Sequence, residues 1–132
     1  MVAAGDDITI AACGVTVAMA VQAVEQLKSK GISAELLNIS TIKPLDENTL
    51  LRSVKKTRRI LTVEEHSVLG GLGSAVSELL MKRFPVLGDT VGINDTFPET
   101  GGYDELLDKY EISVEKIVEK AEKLTRMILT EN

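Results

Sequence analysis

Residues 60–76 read ILTVEEHSVLGGLGSAV, and this stretch decides the fold class. It opens with an apolar run that ends in two acidic residues, a pattern typical of a buried strand. His66, the only histidine in the sequence, comes next. The glycine-rich residues 70–73 then lead into an apolar helix predicted to begin at Ser74. A strand, a polar end, a glycine-rich turn and a helix N-terminus are the parts from which α/β proteins build sites.

Four short apolar runs have the composition of strands. Three of them are almost uninterrupted in hydrophobicity, as expected for strands that are buried on both faces. The fourth is weaker because Gly92 interrupts it. The predicted strands are Ile8–Cys13, Ser33–Ile39, Arg59–Glu64 and Thr90–Asn94.

The segments between and after these runs have helical patterns. The first is apolar on almost all sides, so we expect it to be deeply buried, with Gly31 as its C-terminal stop. Asp46 is expected to cap the second helix. The last carries apolar residues at i, i+3, i+4 and i+7 spacing. The predicted helices are Val15–Lys30, Asp46–Lys55, Ser74–Phe84 and Ser113–Leu129.

Strands that alternate with helices predict a mainly parallel sheet covered on both faces, which is the α/β class. Right-handed crossovers place the first strand centrally, the second on one side and the third on the other. The strands that follow strand one are then added on opposite sides of it. This reversal of strand order creates a crevice at the carboxyl ends of strands one and three. We expect Cys13 and Gly14 to face Glu65 and His66 across this crevice.

Length, charge and cysteine count exclude several classes of function. The chain has 132 residues, which fits one domain, and a net charge of −5 without a basic stripe, which argues against a nucleic-acid partner. The single Cys13 rules out an internal disulfide. The sequence has no signal peptide and no apolar run of membrane length, so a cytoplasmic, non-membrane protein is expected. The basic residues 55–59 are interpreted as the polar end of a helix, with a phosphate contact as the alternative.

The inventory of chemically reactive residues is small. His66 is a candidate general base or a hydrogen-bonded interface residue, and with Cys13 it allows a stand-alone cysteine enzyme as a further hypothesis. The glycine-rich turn fits either close strand–helix packing and subunit contact or binding of an anion. No catalytic, cofactor-binding or metal-ligating set is recognisable. The residues predicted to line a crevice or an interface are Gly14, Glu65, His66, Gly70, Gly71, Gly73 and Ser74.

Four segments, in order and spanning nearly the whole chain, resemble the C-terminal domain of transketolase-type enzymes. The pairing of Glu-Glu-His with Gly-Gly-Leu-Gly is most similar to the C-terminal half of a split bacterial or archaeal transketolase. The same domain of a 2-oxo acid dehydrogenase beta subunit or of 1-deoxyxylulose-5-phosphate synthase is the alternative. The segments are residues 5–14 (GDDITIAACG), 39–46 (ISTIKPLD), 63–66 with 70–76 (VEEH, GGLGSAV) and 93–101 (INDTFPETG).

The resemblance implies a three-layer α/β/α sandwich with a mixed five-stranded sheet. The family's antiparallel edge strand would precede Asp7, so in this chain it is missing or reduced to the first few residues. The resemblance also implies that residues 1–132 form one domain of a longer chain. A role in packing and dimerisation follows, with the remaining transketolase domains or an N-terminal subunit as partners and a homodimer as the assembly.

The activity that the resemblance implies belongs to the longer enzyme. That enzyme would transfer a two-carbon ketol unit between sugar phosphates in the pentose phosphate pathway, using thiamine diphosphate and a divalent metal such as Mg²⁺. The family's cofactor and metal residues lie in other domains, so no cofactor is expected in this fragment and the fragment alone is expected to be inactive. A regulatory domain that binds a phosphate-like anion in the crevice is the competing hypothesis.

Overall fold

The computed structural model describes residues 1–40, 42, 44–67, 71–93 and 112–127. Within them, strands and helices alternate as the sequence predicts, which confirms the α/β class. The strands are β1 (Ile8–Ala12), β2 (Ala34–Asn38), β3 (Arg59–Ser67) and β4 (Leu87–Ile93). The helices are α1 (Thr16–Ser29), α2 (Glu47–Thr57), α3 (Leu72–Arg83) and α4 (Val114–Arg126).

The described strands form one parallel sheet in the order β2-β1-β3-β4. β1 lies at the centre, where Ile10 is opposite Leu36 of β2 and Leu61 of β3. The predicted central position of β1 is therefore confirmed, as is the change of direction between β1 and β3. The carboxyl ends of these two strands lie side by side, at the edge of the sheet where α/β proteins place their sites.

Two apolar layers cover the sheet, because successive side chains of a strand point to opposite faces. On one face, Ile10 and Leu61 pack in a core with α1 and α4. On the other face, Ala11 and Ile60 pack in a core with α2 and α3. The structure is thus the predicted three-layer α/β/α arrangement, and its core is almost entirely aliphatic.

The first residues of the chain form a minimal antiparallel edge beside β2. Ala3 bridges Leu36 in the antiparallel sense. The N–H of Leu36 donates to the carbonyl of Ala3 at 2.9 Å, and the N–H of Val2 donates to the carbonyl of Leu36 at 2.8 Å. Within the described residues, the antiparallel pairing beside β2 consists of this one bridge, at the place where the family resemblance implies an antiparallel edge strand.

Residues 5–7 fix the start of β1 against the start of β2. The N–H of Asp7 donates to the carbonyl of Ser33 at 2.8 Å, and the Asp7 carboxylate accepts from the N–H of Ser33 at 2.7 Å. Gly5 lies so close to β2 that a Cβ on it would be 2.3 Å from the carbonyl carbon of Ala34. Only glycine fits at this position.

A buried polar cluster under α2 was not predicted from the sequence. The hydroxyl of Thr9 lies 2.6 Å from that of Ser53 and 2.7 Å from that of Thr57. The Ser53 hydroxyl donates to Glu35 at 3.0 Å, and Lys56 pairs with the same carboxylate at 2.7 Å. Every polar group in the cluster has a partner, so the cluster joins α2 to the sheet without leaving an unsatisfied group.

The basic residues 55–59 have structural partners, which supports the interpretation as a polar helix end. Arg58 lies over the ring of Phe84, 5.3 Å from its centroid. Arg59 donates to the carbonyl of Leu124 at 2.8 Å and to that of Met127 at 3.0 Å. Arg59 therefore caps the C-terminus of α4, where a cation is favoured by the helix dipole.

The predicted cap of α2 is confirmed. Asp46 accepts from the N–H of Thr49 at 3.2 Å and from its hydroxyl at 2.7 Å. These hydrogen bonds hold the pKa of the Asp46 carboxyl below its ordinary value.

Several predicted boundaries were wrong. β4 begins at Leu87 rather than Thr90, and the predicted end at Asn94 lies outside the described residues. β3 continues to Ser67, so Glu65 and His66 belong to the strand. Helix α3 begins at Leu72 instead of Ser74. Helix α4 ends at Arg126, and the predicted Leu129 lies outside the described part of the chain.

Candidate functional site

The candidate site is the crevice at the carboxyl ends of β1 and β3. The N–H of Cys13 donates to the carbonyl of Val63 at 3.3 Å, which holds the ends of the two strands together just beyond their last paired residues. The hydroxyl of Thr16, which is fully buried, lies 2.6 Å from the carbonyl of Cys13 and 3.1 Å from that of Val63. Thr16 thus joins both strand ends to the start of α1.

Gly14 and Glu65 meet across this crevice, as the topology predicts. Gly14 has a φ of +63°, a backbone conformation that favours glycine. A Cβ on Gly14 would lie 3.1 Å from Oε1 of Glu65. The close approach of the carboxylate and the backbone turn both depend on the absence of a side chain at Gly14.

Glu64 is the residue that sequence reasoning misjudged. The sequence marks it only as one of the two acidic residues that end the predicted strand, but its side chain is fully buried and hydrogen-bonds to the start of α3. One carboxylate oxygen accepts from the N–H of Leu72 at 2.8 Å, and the other accepts from the N–H of Gly73 at 2.7 Å. Glu64 therefore occupies the N-terminus of α3, where a helix otherwise attracts an anionic ligand.

Gly73 allows α3 to lie directly against β3 and β4. A Cβ at this position would be 3.0 Å from Cγ2 of Thr90, 3.2 Å from the hydroxyl of Thr62 and 3.3 Å from Oε2 of Glu64. The glycine is thus part of a tight contact between helix and sheet. The Glu64 carboxylate reaches the helix N–H groups only because this contact is close.

Cys13 has the environment of an unreactive thiol. It is half-buried, and burial raises the pKa of its thiol above the ordinary value. The nearby carboxylates of Glu64 and Glu65 raise that pKa further, because they disfavour a second negative charge. A nucleophilic cysteine needs the opposite surroundings, with a cation or a free helix N-terminus.

The remaining predicted residues are only partly described. His66 lies in β3, but its side chain is outside the described structure, as is all of Gly70. Gly71 is the N-cap residue of α3, and Ser74 lies in the first turn of that helix. Of the predicted set, the structure therefore brings together Gly14 and Glu65 at the crevice and Gly71, Gly73 and Ser74 at the helix start.

The first half of α1 forms an apolar surface beside the crevice, and the predicted deep burial of this helix was wrong. Val15 is 51% exposed and Val21 is 41% exposed, and Ala18 between them is also exposed. Residues 13–24 contain no charged side chain. We call the exposed residues Gly14, Val15, Ala18, Val21 and Gln22 the α1 surface. The composition of a helix does not reveal whether its apolar sides face the core or solvent.

The described residues contain neither a metal-ligand cluster nor a membrane span. Among residues 1–40, 42, 44–67, 71–93 and 112–127, no three His, Cys, Asp or Glu side chains are grouped so that they could hold a metal ion. In the same part of the chain, no helix has the length and apolar character needed to cross a bilayer.

Comparisons with known proteins agree on one family. A family model described as the C-terminal domain of transketolase matches residues 1–117. The 6-deoxy-6-sulfo-D-fructose transketolase subunit SqwH of a Clostridium species is 46% identical over 121 residues, which is 92% of this chain and 38% of that subunit. The 1-deoxy-D-xylulose-5-phosphate synthase of Desulforudis audaxviator is 41% identical over 120 residues, which is 89% of this chain and 19% of that enzyme.

The fold has a close counterpart among solved structures. A protein described as a split gene transketolase, inactive beta4 tetramer, matches with a TM-score of 0.88 and 37% identity. The match covers 93% of this chain and 40% of the solved chain. This chain therefore spans less than half the length of each of these relatives. The matched family model, the sequence relatives and the shared fold together show that the chain belongs to the transketolase C-terminal domain family.

Proposed function

We propose that this domain is the C-terminal part of a transketolase-type transferase and serves to assemble that enzyme. The longer enzyme transfers a two-carbon ketol unit between sugar phosphates in the pentose phosphate pathway. The similarity to a transketolase subunit and to a split gene transketolase supports the transferase class. The observation that carries the assembly role is the exposed, uncharged α1 surface next to the crevice.

The α1 surface is suited to docking for two reasons. Exposed apolar residues that lie next to each other usually mark a site of protein contact. The adjoining crevice offers little to a small ligand, because Glu64 already binds the N–H groups at the start of α3. We therefore propose that the cofactor-binding domains, or a separate N-terminal subunit, cover the α1 surface and the crevice beside it.

The cofactor of the longer enzyme, thiamine diphosphate with Mg²⁺, does not fit the described residues of this domain. A diphosphate needs free N–H donors and a metal needs several oxygen ligands. The described residues hold no group suited to a metal, and the buried Glu64 occupies the start of α3. We propose that the cofactor is bound entirely by the partner domains, and that the assembled enzyme is a cytoplasmic homodimer of the complete catalytic unit.

Of three alternatives, the geometry disfavours the second and third but does not distinguish the first. The same domain in a 1-deoxyxylulose-5-phosphate synthase agrees with the similarity to that enzyme and would leave the docking role unchanged. A regulatory anion at the start of α3 would have to displace Glu64. A cysteine enzyme based on Cys13 would have to overcome the raised pKa of its thiol.

A pair of charges on the α1 surface is expected to block assembly. Replacing Ala18 and Val21 with glutamate (A18E/V21E) places two carboxylates on the exposed apolar side of α1, where burial against a partner would be costly. In the full enzyme that contains this domain, we expect the variant to remain folded and to lose its assembled state and its ketol transfer activity. Analytical ultracentrifugation measures the assembly, and circular dichroism checks the fold.

The matched control introduces two glutamates in the second half of the same helix. Q26E/S29E adds two glutamates with the same i, i+3 spacing at exposed positions outside the α1 surface. We expect this control to assemble as the unmodified enzyme does. Normal assembly and activity of A18E/V21E would show that the docking surface lies elsewhere on the domain.

A further inference from the structure

The outer edge of β4 is occupied by two side chains. β4 is an end strand of the described sheet, and Thr90 is the central residue of Leu87–Ile93. The N–H of Thr90 donates to Oδ1 of Asp89 at 2.8 Å, and the carbonyl of Thr90 accepts from Nζ of Lys120 at 2.6 Å. Because the N–H of Thr90 binds a side chain, it does not pair with β3 and is turned to the outside of the sheet.

Asp89 and Lys120 take the place of a neighbouring strand. Lys120 Nζ lies 3.6 Å from Oδ1 of Asp89, so the two side chains also pair with each other. A carboxylate on the N–H and an ammonium on the carbonyl satisfy the two groups that an added strand would satisfy with its own carbonyl and N–H. The centre of the β4 edge is thus closed by an ion pair.

The opposite edge of the described sheet is closed in an analogous way. Leu36 is the central residue of β2, and its N–H and carbonyl pair with Ala3 and Val2. In both end strands, the central residue therefore has its outward peptide groups bound within the chain. Natural sheets use charged side chains and short covering segments of this kind to prevent pairing between edges.

We infer that the Asp89–Lys120 pair closes the β4 edge against a second copy of this chain. The second copy is the relevant partner because the contact would be two-fold symmetric. Two β4 strands that meet antiparallel with Thr90 opposite Thr90 would pair along their whole length, and such an isologous contact needs no other protein. With this edge closed, the domain assembles through other surfaces. The inference does not depend on the reaction that the assembled enzyme catalyses.

The test removes both charges and leaves the strand unchanged. The variant D89A/K120M frees the N–H and the carbonyl of Thr90, and methionine keeps most of the length of the lysine side chain. We expect its mass in sedimentation velocity to rise with concentration towards twice the mass of the unmodified chain. The control E119A/K123M removes one acid and one lysine from exposed positions on α4 and is expected to behave as the unmodified chain does.

A proline at position 90 tests whether the self-association of D89A/K120M takes place through the β4 edge. Proline has no N–H, and it is tolerated in an edge strand where the N–H faces outward. Adding T90P to D89A/K120M is expected to abolish the self-association. The inference fails if folded D89A/K120M keeps the mass of the unmodified chain, or if the triple variant still associates. If the double variant does not fold, K120M alone must associate more strongly than K123M, and equal masses would overturn the inference.

Discussion

Replacing Glu64 with alanine is expected to lower the free energy of unfolding by about 3 kcal/mol. The carboxylate is fully buried and accepts two hydrogen bonds, from the N–H groups of Leu72 and Gly73. Without it, both N–H groups stay buried at the start of α3 with no partner, and the favourable interaction of a negative charge with the helix N-terminus is lost. Urea unfolding followed by circular dichroism measures the change.

Two further variants complete this test. The first separates the charge of Glu64 from its shape, and the second is a control at an exposed carboxylate. Glu64→Gln keeps the shape but turns one acceptor into a donor that faces an N–H, so about half of the loss is expected. Glu78→Ala removes an exposed carboxylate from α3 that pairs with Lys82 at 3.5 Å, and is expected to cost less than about 0.5 kcal/mol. A Glu64→Ala protein as stable as Glu78→Ala would show that Glu64 does not hold α3 in place.

Replacing Gly5 with alanine is expected to cost about 3 kcal/mol or more. The added Cβ would lie 2.3 Å from the carbonyl carbon of Ala34 and 2.6 Å from the N of Glu35. These are backbone atoms of β2, so the clash cannot be relieved by rotation of a side chain. The start of β1 would have to move away from β2 and would weaken the hydrogen bonds between Asp7 and Ser33. Thermal unfolding measures the loss.

Gly88→Ala is the matched control for Gly5→Ala. A Cβ at Gly88 would lie 3.1 Å from Cγ2 of Ile60, a side-chain atom that can shift by a few tenths of an ångström, and 3.3 Å from the carbonyl oxygen of Ile60, so both contacts are much milder than those at Gly5. We expect a cost of about 1 kcal/mol for this variant. Equal losses for the two variants would contradict the view that contact with the β2 backbone makes Gly5 indispensable.

The sequence allowed the order of the central strands to be predicted for a physical reason. β1, β2 and most of β3 are buried on both faces, so their apolar runs are distinct, and right-handed crossovers leave few ways to arrange them. The meeting of Gly14 and Glu65 followed directly from that order. β4 was predicted too short because it lies at one end of the described sheet, and its first residues include Gly88 and Asp89, which lack the apolar pattern of a central strand.

The role of Glu64 and the exposure of α1 were not predictable in the same way. Glu64 lies in β3 and contacts the start of α3, and no periodicity in the sequence records a contact between two elements. The contact becomes visible only in the structure, where this acid accepts from the first N–H groups of a helix that begins eight residues later. The exposed residues Val15 and Val21 are apolar like the buried ones, so only the positions of β1, β3 and α4 show which side of α1 is left uncovered.

The most direct test of the assembly role is a calorimetric titration of the folded chain with thiamine diphosphate and Mg²⁺. The same titration of the complete enzyme that contains this domain serves as the positive control. If the domain assembles the enzyme and leaves the cofactor to its partners, the complete enzyme shows saturable heat and the chain alone shows only heat of dilution. Saturable, stoichiometric binding by the chain alone would contradict the account and would place a cofactor site within these 132 residues.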